Sequence, residues 1–340
     1  MATPPVVLVT GATGFIGSHT VLELIRRGYR VRGVSRSREK SEEWNALYPQ
    51  QATYIEWVTI SSIVDSDSLD RASIGVDYII HTAAPFTLDF EYNLEDMLVP
   101  SVVGTRNIMR VASKRPRVKH VVIVSSLAAV VDYREGLNPE RQYTPNDWAP
   151  ASWEEAARTD DSTYVWTASK IFAERAAWDF LQQEKPQFFI TTFCPPVILG
   201  PPGQPYDDFD ELNQSLQQQW SIINGEAAAI PRAFFPASVD VRDVARLQVL
   251  ALSTPRARNQ RYIPISSPFT NGHAAAIVRR GFPDQARRVT PGPDDAPPRF
   301  QVDTSQLMRD FPIEWIPLER TLLDLAAALY QKESQLQESG

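Results

Sequence analysis

Cysteine is nearly missing from this chain of 340 residues. Cys194 is the single one, so no intrachain disulfide can form and an oxidising compartment is not indicated. Histidine is scarce too: His19, His81, His120 and His273 are scattered and show no metal-ligand spacing, so no metal site is expected. No apolar run reaches the length of a membrane span. The most apolar stretch, His120–Val131, is interrupted by Ser125 and Ser126. A charged-then-apolar leader is lacking as well, since a strand-like run starts by Val6. There is no excess of positive charge either. The net charge of −7 is spread along the chain, which argues against nucleic acid or an anionic membrane as the main partner. These absences predict a soluble, cytoplasmic protein; a small-molecule substrate and a monomeric or homodimeric state are further expectations.

What is present is an alternation of short and long apolar patterns. Val6–Thr10, Arg30–Val34, Thr53–Val58, Val76–His81, Val118–Val124 and Phe188–Phe193 read as strands buried on both faces. Phe15–Arg27, Glu95–Lys114 and Thr167–Gln183 read as helices between or after them. Repeated strand–helix–strand units with short connections predict an α/β fold with a Rossmann-type doubly wound parallel sheet. Asp132–Ser162, rich in Pro, Asp, Glu and Trp, reads as a long excursion over the upper sheet edge. Seven prolines between Pro195 and Pro236 mark loops that bracket a helix. The expected organisation is a dinucleotide-binding domain over residues 1–200, with returning segments near 237–268. Residues 201–236 and 269–340 would form a smaller substrate-binding lobe.

The first strand runs straight into Gly11-Ala12-Thr13-Gly14-Phe15-Ile16-Gly17, which opens a helix. Glycines at these three positions allow a tight turn, close approach of backbone to a pyrophosphate, and close packing of helix on sheet. The helix N-terminus then offers unpaired N–H groups to the phosphates. At the end of the second strand, NAD binding needs an acid for the ribose 2′-hydroxyl. Here the chain reads Ser35-Arg36-Ser37-Arg38, without an acid before Glu39. Arg36 can grip a 2′-phosphate with a bidentate fork and stack on adenine, with Arg32 and Lys40 as helpers. NADP is therefore the expected cofactor.

Further motifs make a pattern. Thr10–Gly17, His81-Thr82-Ala83-Ala84-Pro85, Val103–Asn107, Val124-Ser125-Ser126, Ser169-Lys170 and Pro195–Pro201 together resemble the extended short-chain dehydrogenase/reductases. The continuation Phe172–Trp178 is similar to the dihydroflavonol reductase-like and fungal aldehyde/ketone reductase branch. The resemblance implies that Ser126 binds the substrate oxygen and that Lys170 holds the ribose. It also implies a Tyr four residues before that Lys, as proton donor. Residue 166 is Trp instead. Indole N–H is a donor only and is not acidic enough to give up a proton. Tyr164 is the alternative phenol, but on a helix a two-residue slip rotates a side chain by roughly 200°. It could serve only if the chain before Thr167 is not helical, or if a one-turn distortion re-aims it.

By the same resemblance Ser62-Ile63 stand where an Asp usually accepts from the adenine amino group. Ala83, Ala84 and Pro85 would border the nicotinamide ribose, and Pro195 and Val197 the carboxamide. Thr105 and Asn107 are expected to support the sheet through hydrogen bonds. Cys194 is expected to be a small buried apolar residue, and Asp240 and Asp243 to cap a helix. The substrate pocket would lie between the strands' C-terminal edge and the second lobe, with Phe86, Leu127, Tyr206 and Trp220 in its wall. Little positive charge lies in these segments, so an uncharged, medium-sized substrate fits better than a nucleotide-sugar or an acyl-CoA. Three functions stay open: an NADPH-dependent reductase of a ketone or aldehyde, a non-redox dehydratase, isomerase or cyclase, and a catalytically silent NADP-binding protein.

Overall fold

The computed structural model describes residues 3–85, 87–135 and 138–339. In β1 (Val6–Thr10) Val7 and Val9 join the hydrophobic cluster on one side of the sheet, and Leu8 joins that on the other. All three are fully buried. A strand covered on both faces has to be apolar throughout, which is why β1 shows no polar alternation.

After β1 come α1 (Phe15–Arg26), β2 (Arg30–Ser35), α2 (Arg38–Leu47), β3 (Ile55–Thr59), α3 (Ser66–Ala72), β4 (Tyr78–His81), α4 (Val99–Ser113) and β5 (His120–Val124). The excursion that follows carries β6 (Gln142–Tyr143) and α5 (Trp153–Ala156) before α6 (Ser162–Glu184). The chain continues through β7 (Phe189–Phe193), β8 (Val197–Leu199), α7 (Gln214–Ile223), β9 (Ala237–Asp240), α8 (Val241–Ala251) and β10 (Gln260–Tyr262). It ends with β11 (Ser267–Pro268), α9 (Asn271–Gly281), β12 (Gln301–Val302), α10 (Ser305–Asp310) and α11 (Leu318–Ser339).

Seven strands form one sheet in the order β3-β2-β1-β4-β5-β7-β10, and every pairing is parallel. Strand order reverses between β1 and β4, so a crevice opens beyond their C-terminal ends, where ligands of such sheets bind. α1 packs with α8, and α4 packs with both α3 and α6. The expected α/β doubly wound architecture is the one observed.

Two helices differ from expectation, each for a local reason. Glu95–Lys114 is not one α-helix: Asn93–Leu98 is π-helical and runs into α4. Pro100 has no N–H to return to the preceding turn, so the α pattern cannot extend backwards through it. α6 starts at Ser162, earlier than Thr167, because Asp161 caps it by accepting the Tyr164 N–H at 3.1 Å.

The C-terminal half surrounds its own apolar cluster. Leu199, Leu216, Trp220, Phe269, Leu325 and Tyr330 meet beneath a three-stranded sheet of β8, β9 and β11. The excursion is fastened to it by the parallel pairing of β6 with β12.

Candidate active site

The glycine turn is built by close contacts. Gly11 adopts φ +67, and a Cβ there would come within 3.1 Å of the Ala83 backbone. A Cβ on Gly17 would sit 1.9 Å from the Gly11 carbonyl oxygen, so helix and turn can approach this closely only without one. α1 begins after Gly14 with no side-chain cap, and its first intrahelical bond is Ser18 N–H to Gly14 O at 2.8 Å. The N–H groups of Phe15, Ile16 and Gly17 thus face outward beside Thr13, a cradle that suits a pyrophosphate. Arg36 follows β2 directly, is exposed, and makes no hydrogen bond or ion pair among the described residues. A guanidinium free of protein partners at this place fits a 2′-phosphate.

Its expected helpers are engaged elsewhere. Arg32 spans Glu56 at 2.8 Å and the carbonyls of Ala72 and Ile74, bracing the sheet edge. Its position inside β2 directs it there. Lys40 bonds Glu43 at 3.0 Å and Glu211 at 2.8 Å, linking α2 to the second lobe. Ser62 is exposed beyond β3, and its Oγ accepts from Val64 N–H at 3.4 Å. The neighbouring carbonyls of Ile63 and Val64 are held by Asn107 Nδ2 at 3.4 and 2.9 Å. Asn107 therefore supports a loop rather than the sheet. Thr105 bonds only back to Ser101 O of its own helix.

At the ends of β4 and β5 the chemistry-bearing groups converge. The Thr10 hydroxyl meets His81 Nδ1 at 2.7 Å and accepts Ala83 N–H at 3.3 Å, which fixes the Ala83–Pro85 turn beside the glycines. Ser126 is buried, and its Oγ accepts Ala128 N–H at 3.1 Å, leaving its proton to donate. Lys170 Nζ donates to Pro85 O at 3.3 Å and lies 5.9 Å from the Trp166 ring. Burial pushes the Lys170 ammonium down to about 8. Burial, with Lys170 nearby, pushes His81 down to about 4, so its ring is neutral.

Trp166 lies one turn before Lys170 and packs edge-on to Phe234, with ring centroids 5.9 Å apart. Phe234 in turn touches Tyr133 at 5.5 Å, so an aromatic strap joins the excursion, α6 and the loop before β9. Neither Tyr133 nor Phe234 was singled out by the sequence, because neither belongs to a motif and the strap joins distant segments.

Tyr164 does not take up the missing phenol's place. It lies inside α6, and its hydroxyl donates to Glu155 Oε2 at 2.8 Å and accepts Ser152 N–H at 3.0 Å. Arg134 covers its ring at 4.0 Å. Helical backbone from Ser162 onward turns this side chain away from the Lys170 face. Leu127 is also displaced from its expected role: the 3-10 turn after Ser126 buries it fully in the cluster that holds Trp166. Trp220 stacks on Phe209 at 4.1 Å and belongs, with Tyr206 at its margin, to the C-terminal lobe's core. Amphipathic α7 turns that face inward. Phe86 lies outside the described residues.

Pro195 O accepts Leu127 N–H at 2.8 Å, and Val197 opens β8. Cys194 is fully buried against the Glu174 carboxylate, and burial raises its thiol pKa. Asp240 caps α8 through Arg242 N–H at 2.8 Å, whereas Asp243 is buried within the first turn and accepts Ile316 N–H at 2.8 Å. Glu174, one turn after Lys170, was not anticipated. It receives Ser125 Oγ at 2.6 Å, Thr192 Oγ1 at 2.7 Å and two nitrogens of Arg261. Among the described residues no group of three His, Cys, Asp or Glu could hold a metal ion, and no helix is long and apolar enough to cross a membrane.

Known proteins are similar to this one over most of the chain. The ketoreductase azaE of Aspergillus niger is 33% identical over 305 residues, covering 86% of this chain and 87% of that protein. The NADPH-dependent methylglyoxal reductase GRE2 of Saccharomyces cerevisiae is 30% identical over 285 residues, 82% of each. The crystal structure of the yeast methylglyoxal/isovaleraldehyde reductase Gre2 complexed with NADPH is similar with a TM-score of 0.88 at 28% identity, over 97% of this chain and 99% of that one. Residues 7–264 match the model of the NAD dependent epimerase/dehydratase family. With the glycine turn and the parallel sheet, this chain belongs to that family, among the extended short-chain dehydrogenase/reductases.

Proposed function

We propose that this chain uses NADPH to reduce an uncharged, medium-sized ketone or aldehyde. The observation that carries the reading is the placement of three elements at neighbouring strand ends: the capless start of α1 after β1, the donor hydroxyl of Ser126 after β5, and Lys170, which donates to Pro85 O after β4. The NADPH-dependent reductases among its relatives support the cofactor and the reaction class.

NADPH, when bound, supplies the reducing electron pair from its nicotinamide. Gly11–Gly17 would hold the pyrophosphate and Arg36 the 2′-phosphate, while Lys170 would hold the ribose. Ser126 donates to the substrate oxygen and fixes which face is presented. Trp166, with Phe234 against it, walls the site. Indole cannot release a proton, so the proton reaches the product oxygen from water or through Lys170. Tyr164, bonded to Glu155 and Ser152, takes no part.

The test is loss of nicotinamide absorbance when NADPH is mixed with a panel of uncharged ketones and aldehydes and their carboxylated analogues. Turnover confined to uncharged compounds is expected. NADPH that raises the melting temperature yet is consumed with no member of the panel overturns the reductase reading. That outcome favours a non-redox reaction on the same scaffold, the reading that Trp166 keeps open.

A further inference from the structure

Between α8 and the segment that leads into α11 lies a cleft of about 330 Å³, within the size range of small-molecule sites. Arg242 and Arg246 line it from α8, and Arg320 from the first turn of α11. Glu314, Trp315 and Pro317 line it from the segment between. None of the residues assigned above to the cofactor or to the carbonyl belongs to its wall.

The guanidiniums are held from behind. Arg242 and Arg246 stand one turn apart on the same face of α8. Arg242 bonds Asp240 at 2.9 and 2.7 Å and Asp324 at 2.6 Å. Arg246 Nη1 donates to Asp243 at 3.0 Å, and Arg320 Nε donates to both oxygens of Asp324 at 2.8 Å. Asp240 and Asp243 are buried, so these carboxylates orient the arginines without facing solvent. Nε and Nη2 of Arg246, and both Nη groups of Arg320, make no hydrogen bond among the described residues. Trp315, half-buried against the core cluster, brings an indole to the same cleft.

We propose that this cleft binds a small aromatic carboxylate. A carboxylate matches a guanidinium in a two-pronged fork, and a flat ring packs on an indole or on a guanidinium plane. Charge balance selects the class. Asp240, Asp243 and Asp324 match the three arginines, and Glu314 adds a further negative charge. Donors are plentiful while net charge is small, which suits a monoanion better than a phosphate dianion. Arginines already held by aspartates lose little freedom when a ligand arrives. The site stands whatever reaction the crevice performs.

Calorimetric titration of the full chain, saturated with NADPH, tests this with 2-naphthoate, 2-naphthamide and 2-naphthyl phosphate. One 2-naphthoate should bind per chain, with the amide and the phosphate each weaker by about tenfold or more. Arg320→Gln, at an exposed position, should weaken 2-naphthoate by about tenfold, the worth of one charge-assisted pair. Arg246→Gln should do the same. Should Arg246→Gln fail to fold for want of a partner to Asp243, Arg320→Gln decides. Absence of binding, an amide that binds as tightly as the carboxylate, or unchanged affinity in Arg320→Gln overturns the proposal. A phosphate that binds more tightly than the carboxylate overturns it as well.

Discussion

Glu174 and Arg261 meet in a two-pronged ion pair, Nε to Oε1 at 2.8 Å and Nη2 to Oε2 at 3.0 Å, with both side chains buried. Arg261 also donates to the carbonyls of Ala129, Pro145 and Asp147, and its guanidinium lies 3.9 Å from the centre of the Trp148 ring. Glu174→Gln or Arg261→Met leaves an uncompensated buried charge, so each should destabilise by about 3–5 kcal/mol. The double change Glu174→Gln with Arg261→Met should cost much less than the sum of the two. Urea midpoints of the four proteins measure this, and additive losses would refute the coupling.

Trp166→Tyr restores a phenol one turn before Lys170. A positioned general acid contributes about 10²–10⁴-fold in rate, so turnover of a ketone should rise within that range. Stopped-flow loss of nicotinamide absorbance reads it. A wild type already fast and a variant no faster would mean that the indole does not limit proton delivery.

Arg36→Ala should weaken NADPH binding by about 10- to 100-fold, the worth of one or two charge-assisted hydrogen bonds, and weaken NADH much less, through the lost adenine stacking alone. Fluorescence titration with both nucleotides separates the outcomes. Equal losses for both would place the 2′-phosphate elsewhere.

The buried imidazoles set an acid dependence of stability. Burial pushes both His81 and His120 from 6.5 down to about 4. Between those values the unfolded chain binds protons that the folded chain refuses, so stability falls as pH drops from about 7 toward 4. Each group contributes on the order of 3 kcal/mol to that loss. Melting temperatures across this range should decline, and His120→Gln should flatten the decline. An unchanged slope in the variant would show that His120 is not the titrating group.

What sequence could reveal here was what is local. The glycine turn, the arginine after β2 and the Trp at 166 each lie within a few residues of the element that positions them. The start of α6 was legible too, since Asp161 before Ser162 and Thr163 is a cap signal, though the apolar stripe drew attention to Thr167. Other relationships depend on closure of the fold. Glu174 and Arg261 are 87 residues apart, and neither pattern nor spacing links them. Leu127 and Trp220 looked like pocket walls because they are apolar residues near loops, yet a 3-10 turn and an amphipathic helix aim both inward.

The position of Arg261 orders events during synthesis. A nascent chain that has emerged only through residue 200 already carries the cradle, Ser126, Trp166 and Lys170. It does not yet carry the guanidinium that neutralises Glu174 and fastens Ala129, Pro145 and Asp147. Until β10 has docked beside β7, Glu174 lacks the Arg261 counterion, and the carbonyls of Ala129, Pro145 and Asp147 lack their shared donor. The residues of the site are therefore all made before the strand that neutralises the buried carboxylate behind them.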